Sequence, residues 1–114
     1  MSLAENKKVA CMYHDLNPDD MDKILTPGFI GHHPDKTTWN LDDHKRFWSD
    51  EEVVNVKDTI HEQIAEGEWV ATRFTRVGEY QGKYYEIDMM HFKRFEDGRI
   101  AEVWELYDSK QIEE

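Results

Sequence analysis

The sequence has little that would cross-link it or attach it to nucleic acid or a membrane. Its one cysteine, Cys11, leaves no partner for an intrachain disulfide, which suits a reducing compartment. The 25 acidic and 14 basic residues give a net charge of -11, which opposes binding to phosphate backbones and anionic lipid. No apolar run reaches membrane length, and no signal-peptide pattern opens the chain. We therefore expect a cytoplasmic protein that binds neither nucleic acid nor membrane.

Proline is scarce, and all three prolines (Pro18, Pro27 and Pro34) lie in the first third of the chain. This distribution predicts helices and turns first and strands later. Aromatic residues are plentiful, with four Trp, five Tyr and five Phe, and they supply the apolar area for one hydrophobic core. We expect a single domain over residues 1–114, with residues 1–3 as an expression remnant.

The first half of the chain predicts three helices. Apolar residues at helical spacing indicate a first helix that ends near Asp15. Asn17 and Pro18 are typical of a helix start, and the short second helix should run to about Leu25. The third helix begins after Asn40. One of its faces carries Leu41, His44, Phe47 and Trp48.

The second half predicts four strands, at about residues 54–64, 69–77, 84–95 and 100–107. Short turns join them, so they should form an antiparallel meander. We expect an α+β, cone-shaped fold in which the N-terminal helices pack on a strongly curved antiparallel sheet around a cavity.

The last strand is apolar on both faces, with Val103 and Tyr107 on one and Trp104 and Leu106 on the other. A sheet with one solvated face alternates apolar and polar residues. We therefore expect one face to line the interior. The other face, which also bears Phe92, should meet a second subunit in a homodimer.

The last hairpin also holds the candidate acid/base groups, which are Asp88, His91, Glu102, Glu105 and Asp108. A carboxyl group next to Met89, Val103 and Tyr107 would be poorly solvated, so its pKa should rise toward neutral. Such a group can exchange a proton with a carbon acid.

The turn of this hairpin decides which groups share a face. With a three-residue loop, Glu96 to Gly98, His91 opposes Val103, and His91 and Glu105 lie on the same face. With a two-residue loop, Asp97-Gly98, His91 and Glu105 lie on opposite faces and Lys93 pairs with Glu102. The sequence leaves both alternatives open.

Residues 88–108, DMMHFKRFEDGRIAEVWELYD, resemble the C-terminal hairpin of the SnoaL-like polyketide cyclases, which belong to the nuclear-transport-factor-2-like superfamily. Residues 29–34 (FIGHHP) and 41–48 (LDDHKRFW) are similar to other segments of that family. The resemblance implies cofactor-free aldol chemistry on a hydrophobic small molecule, with Glu105 as the general acid/base and His91 as the pocket histidine. It also places His32 or His33 at the cavity mouth, and Asp108 is the second choice for the acid/base.

Three departures from the family pattern bear on the site. The family's aspartate is replaced by the longer Glu105, and a pocket amide is replaced by Met89, which cannot hydrogen-bond an enolate. The span from Gly78 to Ile87 is also shorter than the usual pocket-closing loop. These changes imply a shallower and less polar cavity, with Trp48, Met89 and Tyr107 as candidate wall residues.

Two other functions fit the same fold. One is a ligand-binding module without catalysis, and the other is a dimerisation module whose interior is filled by Trp48, Trp69 or Met90. Adjacent histidines on an extended chain, such as His32 and His33, point to opposite sides, and no His-x-x-x-His spacing occurs. We therefore expect no metal and no cofactor.

Overall fold

The computed structural model describes residues 2–108, which form three α-helices packed on one open six-stranded mixed sheet. The helices are α1 (Leu3–Tyr13), α2 (Met21–Ile24, preceded by a 3-10 turn at Pro18–Asp20) and α3 (Leu41–Trp48). The strands are β1 (Leu25–His32), β2 (Thr38–Trp39), β3 (Val53–Glu66), β4 (Trp69–Tyr80), β5 (Lys83–Glu96) and β6 (Arg99–Tyr107). Their order in the sheet is β2-β1-β6-β5-β4-β3. The predicted α+β class is confirmed.

Polar side chains begin the two longer helices. Ser2 and Glu5 form a reciprocal capping box at the start of α1, and Asn40 and Asp43 form another at the start of α3. Ser2 therefore has a structural role that the sequence analysis did not give it. Asn17 caps the 3-10 turn, with Pro18 at its first position.

The sequence analysis predicted a wholly antiparallel sheet, and this was wrong, because β1 pairs in parallel with β6. The sequence analysis extended the second helix to about Leu25 and predicted four strands, none of them before about residue 54. Pro27 obscured this strand, since proline cannot donate a ladder hydrogen bond. In the structure Pro27 lies where the pairing is interrupted, between the pairs Leu25–Ile100 and Ile30–Glu102.

The main core lies where α1 and α2 cover the concave face of the sheet. It is formed by fully buried apolar residues, among them Ala10, Met21, Leu25, Phe29, Val70 and Ile100. A smaller cluster of Phe74, Ile87 and Met89 continues along the same face. Helix α3 covers only part of that face, so a cavity remains.

The β5–β6 hairpin combines a two-residue turn with a bulge. Glu96 pairs with Arg99, and the turn residues Asp97 and Gly98 both have positive φ. The register then shifts by one residue, because Phe95 pairs with Ile100 whereas Arg94 pairs with Glu102. As a result His91 pairs directly with Glu105. Neither predicted register was right, yet the two side chains share a face.

The convex face of the sheet carries an apolar patch. Met90, Phe92 and Leu106 are 50%, 52% and 60% exposed, and Trp69 lies within 6.5 Å of Phe92, ring centre to ring centre. No helix within residues 2–108 is long and apolar enough to cross a membrane.

Candidate active site

A cavity of about 490 Å³ opens between α3 and the concave face of the sheet. Its wall is largely aromatic and includes Tyr13, Trp39, Phe47, Trp48, Tyr85 and Tyr107. A volume of this size is typical of small-molecule sites. The aromatic side chains suit an apolar ligand, and the polar groups between them would set the orientation of that ligand.

Glu105 is the carboxylate in this wall. Its side chain is 13% exposed, and its two oxygens accept hydrogen bonds from different histidines. His33 Nδ1 lies 2.9 Å from Oε2, and His91 Nε2 lies 3.1 Å from Oε1. The guanidinium of Arg76 adds a positive charge 3.9 Å from Oε1. Two hydrogen-bond donors and one positive charge therefore converge on one carboxylate.

This environment reverses the expected pKa of Glu105. Burial alone raises the pKa of the carboxyl, as the sequence analysis assumed. The hydrogen bonds from His33 and His91, together with the nearby charge of Arg76, lower it by more. The net result is a pKa well below the ordinary range of a glutamate, so Glu105 is ionised at neutral pH.

His91 lies behind Glu105 and not on the cavity wall. Its side chain is fully buried, with its ring 4.6 Å from that of Phe74 and 5.7 Å from that of Tyr13. Burial, reinforced by the charge of Lys93, lowers the pKa of His91 to about 3. The ring is therefore neutral and donates its Nε2 proton to Glu105. In this position His91 holds the carboxylate and does not touch a ligand.

Arg76 is held in turn by a buried chain of polar groups. Asp58 accepts two hydrogen bonds from Arg76, at 2.7 and 2.9 Å, and a third from His14 Nδ1 at 2.7 Å. His14 Nε2 then faces Lys93 Nζ at 2.8 Å. The side chain of Asp58 is fully buried, and its pKa falls to about 2 because the bonds from Arg76 and His14 outweigh the effect of burial.

The sequence analysis missed this chain, although period-two alternation could have revealed it. On β4, Val70, Thr72, Phe74 and Arg76 are all buried, so Arg76 shares the inward face of three core residues. On β5 the same alternation places Lys93 inward with His91. Charged residues at inward positions of a strand are a signal of a buried ion network.

The structure brings most of the predicted site residues together. His32, His33, Trp48, Met89 and Tyr107 all line the cavity with Glu105. Asp108, the second choice for the acid/base, is exposed and lies outside this wall. His32 also bonds Glu102 at 2.8 Å and stacks on Trp104 at 4.5 Å, which fixes its ring at the cavity rim.

No group of three or more His, Cys, Asp or Glu side chains suitable for a metal occurs within residues 2–108. The polar groups around Glu105 are instead bonded to one another. What the arrangement offers chemically is an ionised carboxylate, oriented by protein donors, beside an apolar space.

Three α-helices packed on an open six-stranded mixed sheet, with a cavity between α3 and the sheet, give the ketosteroid isomerase-like, or nuclear-transport-factor-2-like, fold class. Within this class, residues 9–103 match the family model described as a SnoaL-like domain, and the chain belongs to that family.

Solved structures show the same fold at low sequence identity. IdmH from Streptomyces antibioticus, a proposed polyketide cyclase, is 19% identical over 94% of both chains, with a TM-score of 0.78. A loop-truncation variant of IdmH is 20% identical over 94% of this chain and 95% of its own, with a TM-score of 0.78.

A further structure, a protein from Catenulispora acidiphila with a ketosteroid isomerase-like fold, was solved in complex with trimethylamine. It is 14% identical over 91% of this chain and 88% of its own, with a TM-score of 0.80. Curated proteins gave no match. At these identities the likeness is one of fold alone.

Proposed function

We propose that this protein binds a hydrophobic small molecule in the aromatic cavity and catalyses proton transfer at a carbon atom without a cofactor. The reaction would be an intramolecular aldol ring closure or an isomerisation. The observation that carries the proposal is the ionised Glu105 carboxylate in the cavity wall. Membership of the SnoaL-like family, and the relation to a proposed polyketide cyclase, support the same chemistry.

In this reaction Glu105 acts as the base. It removes a proton from the carbon next to a carbonyl group, and the electron pair moves onto the carbonyl oxygen to form an enolate. In a ring closure the enolate carbon then bonds to a second carbonyl carbon of the same substrate, and Glu105 returns the proton to the alkoxide that forms there. In an isomerisation Glu105 returns the proton to a different carbon of the enolate. The bonds from His33 and His91 hold the carboxylate in place for both steps. Because its pKa is low, Glu105 is a weak base, so the substrate must have an acidified C–H bond.

The proposal can be tested without the natural substrate by hydrogen–deuterium exchange. The probe is 2-tetralone, an apolar bicyclic ketone whose C1 is acidified by both a carbonyl and an aromatic ring. In D₂O, the unmodified protein should accelerate deuterium incorporation at C1. Glu105→Gln keeps the shape of the side chain and removes the base, so exchange should slow by at least about 100-fold. Mass spectrometry follows the exchange.

Glu102→Gln is the matched control, because Glu102 lies on the same strand and also bonds a histidine, but is outside the cavity wall. It should exchange like the unmodified protein. Equal rates for Glu105→Gln and the unmodified protein would contradict the role of Glu105.

A second candidate is a ligand-binding module without turnover. The low pKa of Glu105 and the methionine at position 89 favour it, since both reduce the power to form an enolate. This function predicts saturable binding of 2-tetralone with no acceleration of exchange by the unmodified protein. The open volume of about 490 Å³ argues against a dimerisation module with a filled interior.

The convex sheet face suggests a homodimer. Phe92 and Leu106 are more than half exposed there, and Trp104 lies beside them, stacked on His32. Monomeric proteins rarely expose contiguous apolar patches of this kind, and such patches mark contact surfaces. The occupant we propose is a second copy of the chain.

A further inference from the structure

Two ring nitrogens on α3 are buried without a hydrogen-bond partner in the described part of the chain: Nε2 of His44 and Nε1 of Trp48. His44 is only 4% exposed as a whole residue. Four positions separate the two residues, so they lie on the same face of the helix, and both line the cavity. Buried polar atoms almost always have a partner, and an exception needs an explanation.

Neighbouring side chains hold both rings in place. His44 packs between Tyr13 and Phe29, with ring centres at 5.3 and 5.5 Å. The guanidinium of Arg76 lies 4.9 Å from the ring centre of Trp48, and Asp58 binds that guanidinium through two hydrogen bonds. The two nitrogens therefore belong to a rigid wall, as a preorganised binding site requires.

The chemistry of these nitrogens defines what can pair with them. An indole N–H can only donate a hydrogen bond. Burial, together with the charge of Arg76, lowers the pKa of His44 to about 4, so its ring is neutral at neutral pH and carries one N–H. The cation of Arg76 beside Trp48 also makes this part of the wall favourable for negative charge. The partner that Trp48 Nε1 lacks is therefore an acceptor, and His44 can donate to the same acceptor in the tautomer that carries its proton on Nε2. An oxygen that gains negative charge fits both donors.

The proposed reaction requires such a contact. When Glu105 removes a proton from carbon, negative charge develops on the carbonyl oxygen, and a weak base makes stabilisation of that charge more important. Met89, which also lines the cavity, cannot donate a hydrogen bond to the oxygen. The donors must then come from another part of the wall.

We propose that Trp48 Nε1–H and His44 Nε2–H form an oxyanion subsite on α3, which binds the carbonyl oxygen of an enolisable ketone while Glu105 faces its acidic carbon. This inference rests on the proposed function and adds the class of substrate. It also assigns one end of the ligand to α3 and the other to β6.

The test compares 2-tetralone with tetralin, its counterpart without the oxygen. The methyl group of Met89, isotopically labelled, reports occupancy of the cavity by either compound. The unmodified protein should bind the ketone about tenfold more tightly than the hydrocarbon, the worth of one buried hydrogen bond. Trp48→Phe keeps an aromatic ring under Arg76 but removes the donor, so it should lose most of this preference.

Trp39→Phe is the matched control. It removes an indole of equal size from the same wall, and it should change the affinities for both compounds alike and leave their ratio unchanged. A second measurement uses only the unmodified protein, so it does not depend on whether a variant folds. In the ¹H–¹⁵N spectrum of the unmodified protein, the indole signal of Trp48, one of four, should move downfield with the ketone and not with the hydrocarbon.

Three results have distinct meanings. A ketone preference that depends on Trp48, with the downfield shift, supports the subsite. If both compounds shift the Met89 methyl, but the preference survives in Trp48→Phe and the indole signal does not respond to the ketone, the subsite is overturned and the proposed function stands. If neither compound shifts the Met89 methyl, binding in the cavity is overturned and the subsite with it.

Discussion

At the scale of single residues, the interior contains several ionisable groups whose pKa values are displaced in the same direction. Burial lowers the pKa of His14 and of His44 to about 4 and that of His91 to about 3, from an ordinary value of 6.5. It also lowers the pKa of Lys93 to about 7. Each of these groups binds its proton less readily in the folded chain than in the unfolded chain. These groups therefore make the interior less stable in acid.

This pattern predicts how stability depends on pH. Between about pH 6.5 and pH 4 the three histidines become protonated in the unfolded chain but stay neutral in the folded chain. The free energy of unfolding should therefore fall steadily as the pH falls through this window. Below pH 3.8, protonation of Asp58 should add about 2 kcal/mol to the loss. Urea unfolding at a series of pH values, followed by circular dichroism, measures the slope.

The variant His91→Gln keeps an N–H that can reach Glu105 and removes one titrating group. It should reduce the slope by up to about 1.4 kcal/mol per pH unit. A slope for His91→Gln equal to that of the unmodified protein would show that His91 is not held neutral in the fold.

At the scale of elements, the final hairpin decides whether a site exists. The two-residue turn alone would place His91 and Glu105 on opposite faces, and the bulge next to the turn restores them to the same face. The turn needs positive φ at both central residues, 50° at Asp97 and 82° at Gly98. Aspartate and glycine tolerate this region of φ, so the pair Asp97-Gly98 favours this type of turn.

Gly98→Ala should therefore destabilise the fold by at least about 1 kcal/mol, because a side chain at this φ is strained. Gly28→Ala is the matched control. Gly28 lies in β1 with negative φ and open space around its Cα, so this change should be neutral or stabilise by a few tenths of a kcal/mol. Urea unfolding compares the two. Equal effects from both substitutions would show that the turn is not the strained type.

The hairpin also marks how far the sequence could predict the structure. The helix starts at Asn17 and Asn40 and the presence of a turn at Asp97-Gly98 follow from short-range rules, and they were predicted. The length of that turn was left open between two and three residues. The bulge was not, because an extra residue in a strand is selected by packing across the sheet. The parallel pairing of β1 with β6 depends on contacts about 70 residues apart, which no local pattern contains. Among the partners of Glu105, His91 was already a candidate, whereas the contacts of His33, directly after β1, and of Arg76, on β4, were hidden for the same reason.

At the scale of the whole molecule, the distribution of charge bears on self-association. The chain carries a net charge of -11, which opposes contact between two copies. On the convex sheet face, however, two of the acidic groups near the apolar patch are paired with arginines. Arg94 pairs with Glu102 at 2.9 Å, and Arg73 pairs with Glu62 at 2.9 Å. These pairs reduce the negative charge that two copies would bring together at this face.

A stable dimer needs a buried area of roughly 1,000 Å² or more, which requires the centre of the patch. Phe92→Asp places a charge there without removing the contacts that Trp104 makes within its own chain, with His32 and Trp69. A single chain has a mass of 13.6 kDa. By light scattering, the unmodified protein should show twice this mass, and Phe92→Asp should show the mass of one chain. Leu3→Asp, at a 46% exposed position on α1, adds the same charge away from the sheet and should remain dimeric.

If Phe92→Asp keeps the mass of the unmodified protein, the convex face is not the contact surface. The apolar patch would then need another occupant, because water alone does not favour so much exposed aromatic surface.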